Sequence, residues 1–316
     1  MLNIFCERHT IANSPLITEK TCLEVNLIDQ ILKIIEQDPQ YTEEGFKTVG
    51  KLVTITAYNP DTNKIVQSKY ITKIIDTIVV STISPRHSLD CLAVCFELHG
   101  GTSGIFKNKI YDYCVSFIDV PDNDVAVRVG YCLHLLQQSR GGSVGGGVYK
   151  KCWAEFHGKN LGSLELLLEQ MFKLNPGKSL GKSEQFQLPE LELSPQPFNM
   201  YTQLYVRFKN LVTILKVSLR RSFNVPKTVQ VSRILNFIEE GIAVSQAQLA
   251  KKAITESMVL TLLHGQIHMN LLQILQSLML CVKQNVSTHS KAICDLLWRC
   301  LKQTNGNEQM KFEANL

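Results

Sequence analysis

Four groups of residues in this 316-residue chain have side chains able to do chemistry. They are the string Gly177-Lys178-Ser179-Leu180-Gly181-Lys182-Ser183, the pair His264 and His268, ten cysteines, and a run of uncompensated cations. A glycine-rich turn ending in Gly-Lys-Ser cradles phosphates with its backbone amides, but a P-loop needs another glycine five places before the second. That place is Pro176, no buried strand precedes the string, and Pro189 follows where a helix would have to run. No nucleotide site is expected there. His264 and His268 stand at i, i+4 on a predicted helix and have the reach to share a metal. No glutamate lies between them and no third ligand is close in sequence, so with Leu263, Ile267 and Leu271 around them they read as core or groove histidines. The cysteines (6, 22, 91, 95, 114, 132, 152, 281, 294 and 300) show no C-x-x-C spacing and fall mostly inside apolar helical patterns. They read as reduced, buried, intracellular thiols, because a chain this long and hydrophobic needs no disulfide framework. No G-x-S-x-G nucleophile turn occurs, and no G-x-G-x-x-G follows a strand. The expectation is a non-enzyme with no catalytic residue, no cofactor and no metal.

The cations carry more physical content. No Asp or Glu occurs between Glu192 and Glu239, an interval holding Arg207, Lys209, Lys216, Arg220, Arg221, Lys227 and Arg233. Uncompensated charge of this kind attracts phosphates or acidic peptides, so these seven residues form the candidate basic binding surface, the alternative being a helix pair displaying Lys and Arg for solvation. The imbalance is regional, since residues 1–124 hold 11 basic against 16 acidic side chains and residues 125–316 hold 22 against 12. No aromatic platform accompanies the run to suggest sequence-specific RNA reading. A second candidate is Leu164-Glu165-Leu166-Leu167-Leu168, which satisfies the L-x-x-L-L pattern of helices that dock into hydrophobic grooves. Its Leu164, Leu167 and Leu168 share a helix with Trp153, Phe156 and Phe172, which makes a core role the competing reading.

The elements that position these residues are helical. With 45% hydrophobic and 19% charged residues the chain can bury a sizeable core and is not a disordered composition. Apolar residues recur at i, i+3, i+4 and i+7 in the stripes Leu27/Ile28/Ile31/Leu32/Ile35, Phe46/Val49/Leu52/Val53 and Tyr70/Ile71/Ile74/Ile75/Ile78. The β-branched stretch from Ile74 to Ile83 admits a strand, but the 3/4 spacing runs through it and favours a helix. Ser84-Pro85 and Pro121-Asp122-Asn123 read as helix starts. Counted from Gly45, pair starts fall near 45, 84 and 122, close to the roughly 40–47 residues of armadillo and HEAT repeats. An all-α, armadillo/HEAT-like α-solenoid of stacked helical pairs is expected. Its parts are N-terminal repeats over 1–174, a proline-rich linker over 175–199, C-terminal repeats over 200–303 and a frayed tail over 304–316. A glycine-rich loop is expected at 141–147, and Gly241 is expected to close the helix carrying Val231, Ile234, Leu235 and Ile238. Gln273 and Gln276 interrupt the best apolar stretch, so no membrane span is expected. Glu7, Arg8 and His9 stand where an export signal needs its apolar run, so none is expected.

From Arg207-Phe208 through Leu211, Leu215, Leu219 and Phe223, then Pro226, Val229, Val231, Ile234-Leu235, Phe237-Ile238, Leu262-Leu263 and Ile267-His268, the chain resembles the proline-, glutamic acid- and leucine-rich protein family. The glycine-containing loop, Trp153 and the leucine-rich helix to Phe172 look like the preceding part of the same armadillo-type domain, so the resemblance covers about residues 85–303. It rests on packing residues and spacing. The resemblance implies a non-enzymatic scaffold of the nucleus, nucleolus and nucleoplasm that serves pre-rRNA processing and large-subunit maturation. Its implied partners are a WD40-propeller subunit, a HEAT-repeat subunit, the AAA ATPase of the pre-60S particle and, as a candidate contact, pre-rRNA. It also implies a secondary coregulator role through L-x-x-L-L segments. The family continues into a long proline-rich, acidic tail, whereas this chain stops at Leu316, which reads either as a fragment or as a reduced paralogue. The competing class is an armadillo-type adaptor in transcription coregulation or nuclear transport, whose peptide groove needs regularly spaced Asn and Trp; only Trp153 and Trp298 exist.

Overall fold

Helical periodicity carries through to the computed structural model, in which every regular element among the described residues is a helix. The structure describes residues 17–81, 83, 85–139, 146–172 and 184–303. Two compact units divide at Leu98/His99.

The first unit holds α1 (Ile17–Gln37), a 3-10 turn (Pro39–Tyr41), α2 (Thr42–Thr56), α3 (Pro60–Ile65), a π-helical turn (Val66–Tyr70), α4 (Ile71–Val80) and most of α5 (Pro85–Ser103). Its turns are built by side chains that satisfy orphan backbone amides. Asp38 accepts from Gln40 N at 3.1 Å, and Asn59 accepts from Asp61 N at 3.0 Å with Pro60 opening α3. The helices of the second and third expected stripes pack on that of the first, and apart from the partly exposed Leu27 the stripe residues are buried. The β-branched run is helical, and α4 ends at Val80 where Ser81 turns extended. Each fully buried isoleucine here contributes about 1.5–3 kcal/mol relative to exposure.

The second unit begins at His99, where α5 carries non-helical angles (φ −132°, ψ 34°). It continues through a 3-10 turn (Gly104–Phe106), α6 (Lys107–Val115), α7 (Asn123–Leu136), α8 (Gly146–Phe172), α9 (Pro197–Arg220), α10 (Val231–Ala243), α11 (Gln246–Leu249), α12 (Ile254–Val282), a 3-10 segment (Lys283–His289) and α13 (Ser290–Gln303). Asp122 caps α7 by accepting from Asp124 N at 2.8 Å. α9 is the centre of this unit and packs most extensively on α12, α7 and α8. Its approach to α7 depends on Gly130, because a Cβ there would lie 3.1 Å from the Ile214 backbone Cα.

Several sequence expectations change here. Gly241 does not stop α10; it sits inside the helix, where a Cβ would meet Leu271 Cδ1 at 2.5 Å, so its smallness serves helix packing. α8 already begins at Gly146, inside the expected glycine loop. The proline-dense segment is not a free linker in its described part. Residues 184–196 have no helix, yet Phe186 is buried, its ring 5.5 Å from Phe156 and 6.2 Å from Tyr111, and its amide donates to Ser163 Oγ at 3.0 Å. The rest of the glycine loop, Ser84, the Gly177–Ser183 string and the tail after Gln303 lie outside the described residues. The stretch Ile254–Lys302 is long and apolar enough to cross a membrane by length and composition, but α12 buries Leu260, Ile267, Leu271 and Leu275 against the protein. It reads as a core helix.

Candidate functional site

The seven cations of the acid-free interval are dispersed by the fold and do not make one surface. Arg207, in the middle of α9, is buried and faces inward. Its Nε and Nη2 donate to the two Asp119 carboxylate oxygens at 2.7 and 2.5 Å, and Nη2 also donates to Pro189 O at 2.9 Å. That fork-to-fork geometry commits the guanidinium to holding the segment before α7 and the proline-dense segment onto α9. Arg233, on α10, does the same toward α8, donating to Glu165 Oε1 and Oε2 at 2.8 and 2.7 Å. Lys216 reaches across to α12 and donates to Gln273 Oε1 at 2.6 Å, and Lys209 is half-buried.

Lys227 has a different task. Its ammonium donates to Ser218 O at 2.7 Å, to Leu219 O at 2.8 Å and to Arg221 O, so it satisfies carbonyls that the end of α9 leaves without helical partners. Burial lowers its pKa from the ordinary lysine value.

Arg220 and Arg221 remain exposed at the C-terminal end of α9. Arg220 donates from Nε to Ser277 Oγ at 3.0 Å and from Nη2 to Gln276 Oε1 at 3.1 Å. The Arg221 guanidinium lies 4.4 Å from the Tyr131 ring centroid, a cation–π contact that holds it without neutralising it. Both line a groove of about 730 Å³ between the α9–α10 connection and the end of α12. The opposite wall brings Lys283 and His289, which the sequence reading did not single out. The floor is mainly aliphatic, with Val225, Val229, Val231, Leu280 and Val282, and no carboxylate lines it. The signal for the second wall is present in the sequence: residues 257–294 contain no Asp or Glu.

The L-x-x-L-L motif is core. Leu164, Leu167 and Leu168 on α8 are buried, with Leu168 within reach of the α10–α12 contact at Gly241, so they are not presented to a partner. The histidine pair is also internal: the rings of His264 and His268 lie 4.0 Å apart, and His264 Nε2 is 2.8 Å from Val244 O. Burial drops the pKa of His268 to about 3, followed by the adjacent His264, so it is neutral at ordinary pH. Among the described residues no group of three or more His, Cys, Asp or Glu is placed to hold a metal.

The described cysteines are free thiols, and most are buried, but Cys294 is exposed and Cys281 partly so, which corrects the expectation of uniformly buried cysteines. Cys91 and Cys95 stand one turn apart on α5, and hydrogen bonding to Cys95 together with burial raises the Cys91 thiol well above its ordinary pKa.

No family model matches the chain, and no curated protein matches it with significant similarity.

Proposed function

We propose that the chain is a helical-repeat scaffold of large-subunit ribosome assembly, acting by surface presentation and without a reaction of its own. In this reading the helices stack as an armadillo/HEAT-like solenoid in the nucleolus. They join a WD40-propeller subunit and a HEAT-repeat subunit to the AAA ATPase of the pre-60S particle.

The observation that carries the reading is the correspondence between the resemblance and the packing of the second unit. Of the residues that carry the resemblance, Phe208, Leu211, Leu215, Leu219, Ile234, Leu235, Phe237, Ile238 and Ile267 are buried, whereas Pro226 and Leu262 are exposed. The buried ones lie on α9, α10 and α12, and α9 and α10 both pack on α12. The outer ends of these helices carry the exposed Arg220 and Arg221. Rigid stacked helices offer long surfaces on which many modest contacts add. Of the two tryptophans, Trp153 is fully buried and Trp298 is exposed, and one exposed ring makes no regularly spaced row for the adaptor alternative.

Affinity purification of the tagged chain from nucleolar extract tests the reading. Co-purification of large-subunit assembly factors and pre-rRNA is the expected result. Recovery of neither removes the ribosome-assembly assignment.

A further inference from the structure

We propose that the groove at the end of α9 docks an acidic, aliphatic peptide segment of a protein partner, with carboxylates against Arg220, Arg221 and Lys283 and aliphatic side chains on the Val225, Val229 and Leu280 floor. The inference deepens the scaffold reading and rests on it for the existence of a protein partner, not for that partner's identity.

Charge complementarity selects the occupant. Residues 193–238 and 257–294, which contribute both walls, contain no carboxylate, and none lines the groove from elsewhere among the described residues. A positive cleft with low-dielectric walls concentrates its potential and draws in anions. The floor then separates the possible anions. Single-stranded nucleic acid gains much of its affinity by stacking bases on aromatic faces. Here Phe223 is the one Phe, Tyr or Trp in the lining, and its ring is engaged edge-on with His134 at 5.4 Å, which leaves the imidazole of His289 as the other ring. The remaining apolar surface is valine, leucine and proline, including Leu280, which is 58% exposed. Such a floor suits aliphatic side chains and offers a base little to stack on.

Lys283 supplies an independent observation. It ends α12 with φ 49°, a positive φ that residues with a Cβ rarely adopt. It is the one non-glycine residue with positive φ among those described, and it stands on the rim of the cationic groove. Its side chain adds a cation on the wall opposite Arg220 and Arg221.

Fluorescence anisotropy on the purified full chain tests the proposal, with four labelled probes. These are a short peptide alternating glutamate with leucine, the same peptide with lysine for glutamate, the same peptide with serine for leucine, and oligo(U). The glutamate–leucine peptide should bind, and each altered peptide should bind about tenfold more weakly or worse. The variant Lys283→Gly combined with Arg221→Ser should weaken the glutamate–leucine peptide by about tenfold or more. Lys283→Gly alone should also weaken the glutamate–leucine peptide while melting no lower than the parent chain, because glycine relieves the positive φ, so binding lost by that variant is not lost folding. Lys251→Glu, an exposed lysine outside the groove, should leave binding unchanged. Equal binding of the serine analogue, tighter binding of oligo(U), or unchanged binding by the double variant would each overturn the proposal. The titrations need no nucleolar component, so their failure leaves the co-purification test intact, and an empty co-purification leaves the measured peptide affinity intact.

Discussion

Arg207 and Asp119, 88 residues apart in sequence, form a two-pronged ion pair that fastens the centre of α9 to the segment leading into α7. The guanidinium is almost fully buried, while Asp119 keeps about a third of its side chain in water. Removing the carboxylate leaves a buried cation without its partner. Asp119→Ala should therefore cost about 2–3 kcal/mol, less than the 3–5 kcal/mol of a wholly buried pair because water reaches the site. Arg207→Met, which removes the charge with its partner exposed, should cost less. Urea unfolding of the two variants checks the order. A loss below about 0.5 kcal/mol for Asp119→Ala would place the pair among surface bridges of little consequence.

Three buried histidines set the acid limit of the second unit. Burial lowers His134 to about 4, and His157 and His268 to about 3, from an ordinary value of 6.5. The unfolded chain therefore binds more protons than the folded one below the ordinary value. Stability is fully present above pH 6.5 and is lost as pH falls from there toward the folded values. Each histidine should lower the unfolding free energy by about 1.4 kcal/mol per pH unit across that window. Urea midpoints measured from pH 7.5 down to about 4.5 should fall steeply. His157→Gln, which stays neutral at the Trp153 stacking position, should flatten the curve. A pH-independent midpoint would contradict the assignment.

Leu164 and Leu168 separate packing from docking. Both are buried on α8, so Leu164→Ala and Leu168→Ala should each cost about 2–5 kcal/mol in thermal or urea unfolding. Loss of partner binding by a variant whose stability is unchanged would restore the motif to a docking role.

Thiol reactivity should rank by exposure and thiolate access. Among the described cysteines, Cys294 should label first with a maleimide, Cys281 more slowly, and Cys91 only on unfolding. Burial raises Cys281, against the nearby Lys227 and Lys283. A single cysteine reacting far faster than Cys294 would reveal an activated nucleophile and reopen an enzymatic reading.

The helical class was legible because apolar spacing is local: Ile28, Ile31, Leu32 and Ile35 declare a buried face with no knowledge of what covers it. The roles of the cations were not legible, because a charge run is also local while its neutralisation is not. Arg207 and Arg233 find Asp119 and Glu165 only after the helices pack. Gly241 was misread for the same reason, since a glycine near a helix end looks the same in sequence whether it releases the chain or admits Leu271. The groove was half visible: one acid-free wall drew notice, and the other, around Lys283, needed the fold to bring it opposite.

The three carbonyl contacts of Lys227 have a practical corollary for anyone mapping this surface by neutralising one charge at a time. Its ammonium is committed to those carbonyls and braces the helical turn from which Arg220 and Arg221 project. Acetylating Lys227, or replacing it with methionine, would loosen that turn and blur the aim of both arginines. Ligand affinity would drop through the two arginines, so a scan would credit the lysine with more than its own place in the groove lining supplies.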